Sequence, residues 1–489
     1  MFRNIAAGAA LASLAAAAAE ADVTPRQVWE DWIAAAEADA ASYGTGSVEE
    51  DGGRLVVTDL AMTLLTEKGG YALTVDEVVF AQNGDGTVSV TMSPGYVVTL
   101  TGETEDGTAT EARLRIDHPE LEMIVSGDEA ERRHAYAAPE LTITLLEATE
   151  GGEPVDLAGA LTLSDVAGTY DVNDGAAPRD SSLIAARAEA RMSGDDPEGD
   201  GTFELDLVID DVRADNLTAF FEGEMTEESL ALQDGAARSG MLRFGPLSYT
   251  LATEGGEAGA ATIAGTSRSG ELTASLSEEG LRYGAVNRDS ALTLSGDRIP
   301  FPQLRMSMAE TAATLAMPVL PSDEAQRFDA EVRLLDLKLD ESLWSMIDPA
   351  GILPRDPATL VVDVTGEAVL DRNLLQASES VPEIEALDIE ELRLSLAGAE
   401  LVGKGAMEFR DGSTAAMPQP VGTLDLRLTG GLALIERLVQ MGLIPQEQAM
   451  GARMMISMFS RPGPGQDELL STIRFTEDGQ VLVNDQRIQ

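Results

Sequence analysis

His118 and His134 are the only two imidazoles in a chain of 489 residues, so any Ser–His hydrolase or His-ligated zinc centre has to use one of them. A serine nucleophile needs a neighbouring base to take its proton. The segment nearest in form to a nucleophile elbow, G-T-S-R-S-G at Gly265–Gly270, departs from G-x-S-x-G and lies between two strand-like runs rather than ahead of a helix. The two histidines stand sixteen positions apart with no H-E-x-x-H context, which is not zinc-ligand spacing. The absence of cysteine removes a thiolate nucleophile, a thiolate metal site, a disulfide framework and a lipid-modified N-terminal cysteine.

Carboxylates number 85, too many for any pair to single out a glycosidase, and 4% aromatic residues do not supply a sugar-stacking cleft. The run D-P-E-G-D-G at Asp196–Gly201 starts like a calcium loop but has Glu198 where Asp or Asn belongs and Leu207 where the bidentate glutamate would fall, so it reads as an acidic linker. No P-loop or dinucleotide fingerprint is present. The expectation is a protein without catalytic residues, cofactor or metal: not an enzyme.

Against the 85 acidic residues stand 33 basic ones, a formal net charge of -52 with a pI near 4.1. Such a field repels phosphate and excludes nucleic acid as a direct partner. The first residues, M-F-R-N-I-A-A-G-A-A-L-A-S-L-A-A-A-A-A-E-A, place Arg3 before a short alanine-rich apolar run and then small residues. This is the pattern of a secretory signal peptide over 1–21, which predicts a periplasmic or secreted protein with no transmembrane anchor after cleavage.

The elements that would position any site change character along the chain. T-P-R-Q-V-W-E-D-W-I-A-A-A predicts a helix with Thr24 as N-cap and Pro25 at its first position, docked through Trp29, Trp32, Ile33 and Ala36. From Arg54 the period becomes 2, in short runs rich in Val, Leu, Ile and Thr separated by turn residues, with Asn83–Gly86 (N-G-D-G) as a hairpin turn. Strands so close in sequence must pair antiparallel. The acidic stretch after Ala186 is taken as the boundary between an N-terminal helix and β lobe over 22–195 and a C-terminal β lobe over 196–489.

Three times in the C-terminal part an alternating strand leads into a short amphipathic helix. The helical triplets, spaced i, i+3, i+4, are Leu217/Phe220/Phe221, Leu343/Met346/Ile347 and Ile435/Leu438/Val439. Two- or three-turn helices are marginal alone, so each is expected to lie on the sheet; burying three such side chains offers about 4–9 kcal/mol before entropy is subtracted. The alternation slips at Leu334-Leu335, where a β-bulge is predicted. Met441, Met450, Met454, Met455 and Met458 cluster around a further helix and read as core rather than as a binding surface.

The post-signal V-W-E-D-W, the run L-W-S-M-I-D-P-A-G-I-L-P-R-D-P-A-T-L from Leu343 to Leu360 and the tail G-L-I-P-Q-E-Q-A-M-G-A-R-M-M, ending in V-L-V-N-D-Q-R-I, resemble the uncharacterised alphaproteobacterial family known as domain of unknown function 2125. The resemblance implies a secreted, periplasmic protein and supplies no catalytic residue. Asp485 stands where the family pattern has glycine. In shape alone, the strand-and-short-helix units are similar to AsmA-like envelope proteins.

These readings converge on a mainly β, β-rich α+β protein: long twisted antiparallel sheets with short covering helices, elongated and in two lobes. The expected function is to hold a lipid or other hydrophobic small molecule in a curved-sheet groove lined by Leu217, Phe220, Phe221, Leu343, Met346, Ile347, Ile435, Leu438, Val439 and Met455. The alternative is a structural module that docks another envelope protein through sheet edges or the Asp348–Pro357 loop.

Overall fold

The computed structural model describes residues 23–38, 41–66, 69–104, 106–128, 131–173, 181–195, 200–216, 238–256, 259–299, 303–374, 382–410 and 419–488. The expected signal peptide lies outside them. The protein is mainly β, built of antiparallel strands with four helices among the described residues. It divides into two compact units, one formed by Met1–Leu217, Leu242–Ala264 and Gly296–Arg298, the other by Thr218–Met241, Gly265–Ser295 and Ile299–Gln489.

In the first unit, helix α1 (Pro25–Ala38) begins as its sequence dictates. The Thr24 hydroxyl accepts from the Gln27 amide at 3.3 Å and the Gln27 carboxamide accepts from the Thr24 amide at 3.0 Å, a reciprocal capping box. Its inner face docks on the strands Arg54–Thr66 and Gly69–Gln82, with Val28 and Trp29 buried and Trp32 edge-on to Phe80 at 5.2 Å. Val28 and Trp29 of the helix join Leu55, Val57, Val78, Phe80, Val88, Val90 and Val125 of the strands in one core. The N-G-D-G turn joins Gly69–Gln82 to Val88–Met92 as an antiparallel hairpin, and the Val23 amide donates to the Gly86 carbonyl at 3.2 Å, tying the helix to the turn.

Beyond this core the unit continues through longer strands. Glu131–Glu150 pairs on one side with both Glu122–Gly127 and Ala109–Asp117, and on the other with Leu157–Asn173; then follow Ser181–Asp195, Gly201–Asp215 and Leu247–Gly255. The division expected at Asp195/Asp196 is therefore corrected: Ser181–Asp195 and Gly201–Asp215 are neighbouring strands of one unit. The stretch A-R-A-E-A-R hid a strand because alanine, arginine and glutamate carry little β-propensity, although their alternation is period 2.

The second unit is a meander. Ser269–Ser277, Gly280–Gly296, Leu304–Met317, Ser322–Leu339, Ala358–Leu370, Glu383–Leu396, Ala399–Phe409, Pro420–Thr429, Glu468–Phe475 and Val481–Val483 each pair antiparallel with the next. Helix α2 (Glu341–Ile347) follows the fourth of these strands, and helices α3 (Gly431–Gln440) and α4 (Gln446–Phe459) follow the eighth.

Long strands of both units are broken at one residue type. Asp59, Asp165, Asp211, Asp289 and Asp336 all have positive φ, between 47° and 55°. The ladder lapses there: Thr58 and Leu60 pair with Glu77 and Val75, and Arg288 and Ser290 with Glu310 and Met308. Aspartate tolerates the left-handed region better than most residues, so each position kinks its strand locally. At Asp336 the break includes a register shift between Leu334 and Leu337, the bulge read from the slipped alternation.

Candidate hydrophobic face

Residues directly opposite across an antiparallel pair share a face, so the registers of the second unit trace its two surfaces. One row runs Leu272, Ala285, Ala313, Val332, Val362, Leu392, Gly403, Leu426 from strand to strand. A second runs Ala274, Tyr283, Leu315, Ala330, Val364, Ile389, Gly405, Leu424, Ile473, Val483. A third joins Leu334, Leu360, Leu394, Leu401, Leu428 and Leu469. The shift between Asp363 and Val364 keeps Ile389 on this face, beyond the charged Glu390 and Glu391.

The result is an apolar surface that crosses the strands rather than running along one of them. It is only half covered: Tyr283 is 44% exposed, Leu315 37%, Val332 43% and Leu394 45%. Its glycines are places where neighbours close in. A Cβ on Gly403 would lie 2.8 Å from Leu426 Cδ2, and one on Gly366 would lie 2.4 Å from the ring of Phe328. In the first unit a comparable row, Ile116, Ile143, Leu161, Ala190, Leu207 and Tyr249, is half-buried throughout.

The opposite face of the second unit is charged. Arg333 pairs with Glu331, Arg393 with Glu391 at 3.1 Å and Arg427 with Glu468 at 3.4 Å. A concavity of about 700 Å³ lies among Glu391, Arg393, Lys404, Asp425, Arg427 and Arg461. Leu392, Val402, Leu426 and Leu470 line it as well, so this concavity mixes charged and apolar residues, and none of the ten residues expected to line a groove is among them.

Those ten residues separate. Leu217, Phe220 and Phe221 lie outside the described residues. On α2 only Leu343 is buried, while Met346 and Ile347 are 48% and 41% exposed; the expectation that the whole triplet is covered is corrected, because a helix of two turns sets a single residue against the strand Leu304–Met317. On α3, Ile435, Leu438 and Val439 are half-buried where the helix meets the strand Ala399–Phe409 and α4. Met455 is exposed, as are Met450, Met454 and Met458, so the core reading of this methionine cluster is also corrected: α4 turns Ala449, Ala452 and Ile456 inward instead.

The D-P-A-G-I-L-P segment is a structural turn built by one carboxylate. Asp348, fully buried, accepts from the amides of Ile352 at 2.9 Å and Leu353 at 2.7 Å, while its own amide caps α2 on the Trp344 carbonyl at 2.8 Å. Burial pushes its pKa up, but those two amides and Arg355 prevail and hold it below the ordinary carboxylate value. Arg355 pairs with Glu341 and lies over the Trp344 ring at 5.9 Å, closing the loop on the helix.

Both histidines are sealed in the first unit, 2% and 1% exposed, and their ring nitrogens have no hydrogen-bond partner among the described residues. Burial, with Arg132 adding, pushes His134 down to about 4; Arg132 itself pairs with Asp31 of α1 at 2.9 Å. Burial pushes Asp31 up despite that partner, and pushes Tyr170, beside His134, up as well. Neither imidazole is oriented by a carboxylate or joined to a hydroxyl, as a catalytic base would be. Among the described residues no group of three or more His, Cys, Asp or Glu side chains could hold a metal ion, and no helix is long and apolar enough to cross a membrane.

A family model described as "Uncharacterized protein conserved in bacteria (DUF2125)" matches residues 203–485, more than half of the chain. No curated protein matches. Among solved structures, the alcaligin outer-membrane receptor FauA of Bordetella pertussis aligns over 91% of this chain and 68% of its own, at 9% identity and a TM-score of 0.18, a likeness too slight to bear on fold or function.

Proposed function

From the premise that the chain belongs to the DUF2125 family of uncharacterised bacterial proteins, we propose that it is a non-enzymatic periplasmic binding protein that carries a lipid hydrocarbon chain on the apolar face of its second unit. The observation that carries this reading is the set of apolar rows crossing successive strands with Tyr283, Leu315, Val332 and Leu394 still open to solvent. The chemistry favours a hydrocarbon occupant over a peptide. Every backbone donor and acceptor inside a sheet is spent on the ladders, so a peptide laid on the face would bury its own polar groups without partners. An acyl chain brings none.

Periplasmic placement rests on the signal-like first 21 residues. The net charge of -52 favours a bound molecule without an exposed anionic group near the acidic surface.

The test is titration of the protein with an uncharged fluorescent acyl ester, followed by its displacement with long-chain phosphatidylcholine. Because Val332 and Leu394 are surface-accessible, replacing both with aspartate leaves the fold intact while placing two charges under the chain. Val332→Asp/Leu394→Asp is expected to weaken binding at least about tenfold, equivalent to ~1.4 kcal/mol; unchanged affinity would discard the assigned face.

A further inference from the structure

The α3–α4 hairpin presents an apolar surface that nothing among the described residues covers. Met450, Met454 and Met458 stand at i, i+4, i+8 on α4, exposed by 60%, 63% and 58%, with Met455 and Phe459 beside them and the exposed Leu443 in the preceding turn. Residues 431–459 carry Glu436 and Glu447 against Arg437 and Arg453, a neutral island in a chain of net charge -52. Five of the 18 methionines fall here.

The hairpin itself adjoins the apolar face. A Cβ on Gly431, the first residue of α3, would lie 2.5 Å from Leu428 Cδ2, a member of the third row. At the other end of the hairpin the Phe459 carbonyl accepts from Ser471 Oγ at 2.6 Å, and Ser471 lies opposite Leu426, the last apolar member of the first row. The inner side of the hairpin therefore sits over one border of the sheet face, with the methionine stripe outward.

We infer that the α3–α4 hairpin docks this protein on the interface of a zwitterionic lipid bilayer, where the carried chain is loaded or released; the exchange role rests on the reading proposed above. Flexible thioether side chains fill the irregular acyl boundary, and an amphipathic helix lying in the interface buries one apolar side without crossing it. Charge selects the bilayer. The hairpin offers no surplus of Lys or Arg to an anionic leaflet, and the rest of the chain repels one.

The test is flotation of the full-length mature chain with phosphatidylcholine vesicles, comparing wild type with Met450→Ser/Met454→Ser/Met458→Ser. The three positions are exposed, so circular dichroism should not change. Wild type is expected to float, less so as phosphatidylglycerol replaces phosphatidylcholine, and the triple variant to lose at least about tenfold in partitioning while keeping any bound chain. Val332→Asp/Leu394→Asp should float like wild type, which separates docking from chain binding. Wild type that fails to float, or a triple variant that floats equally well, overturns the inference. So does a dimer, seen by mass photometry, that the triple variant dissolves without any vesicle binding, since a second copy would then cover the stripe.

Discussion

The imidazole of His134 stacks on the phenol ring of Tyr170, centroids 4.4 Å apart and planes 7° from parallel, on strands paired at that very register. The stack is aromatic packing with a titratable member.

That member makes the first unit acid-sensitive. His134 is pushed from 6.5 down to about 4 in the fold, so between those values the unfolded chain binds a proton that the folded one does not. Its contribution is complete above about pH 6.5, is lost as pH falls towards 4 and changes no further below, an effect of up to ~3 kcal/mol. Urea unfolding followed by tryptophan emission should show a steeper loss between pH 7 and 4.5 for wild type than for His134→Phe, which keeps the stack and cannot charge. Equal slopes would refute this.

Asp348 holds its turn through two backbone amides. Asp348→Ala leaves the buried Leu353 amide and the half-buried Ile352 amide without that acceptor and is expected to cost about 2–4 kcal/mol, with Asp348→Asn intermediate because it retains one acceptor oxygen. Chemical denaturation combined with limited proteolysis of the 348–357 loop measures both. Wild-type resistance in the alanine variant would show that the turn stands without the carboxylate.

The strand kinks set a third expectation. At Asp289, with φ of 49°, Asp289→Gly should be neutral within about 0.5 kcal/mol, whereas Asp289→Val should cost about 1–2 kcal/mol because a β-branched residue resists the left-handed region. Thermal unfolding of the pair decides it, and equal midpoints would mean that the kink is not required.

Much of the architecture could be read from the residues. Thr24 and Pro25 announced α1, Asn83–Gly86 a hairpin and Leu334-Leu335 a bulge, because in each the local chemistry alone decides the backbone. Sides and neighbours were hidden. Leu343/Met346/Ile347 has helical spacing, yet which of its members is covered depends on where a two-turn helix meets the sheet. The methionines of α4 have the composition of core and the position of surface. The apolar rows were invisible for another reason: each strand contributes only one residue to a row, and register alone brings Leu315, Ala330 and Val364 into line.

Native mass spectrometry of the protein released gently from cells, paired with organic extraction and lipid analysis, shows whether the apolar face carries a lipid. A mass excess matching a lipid is expected on the wild-type chain and absent from Val332→Asp/Leu394→Asp. A wild-type protein of bare polypeptide mass with no extractable lipid would contradict it.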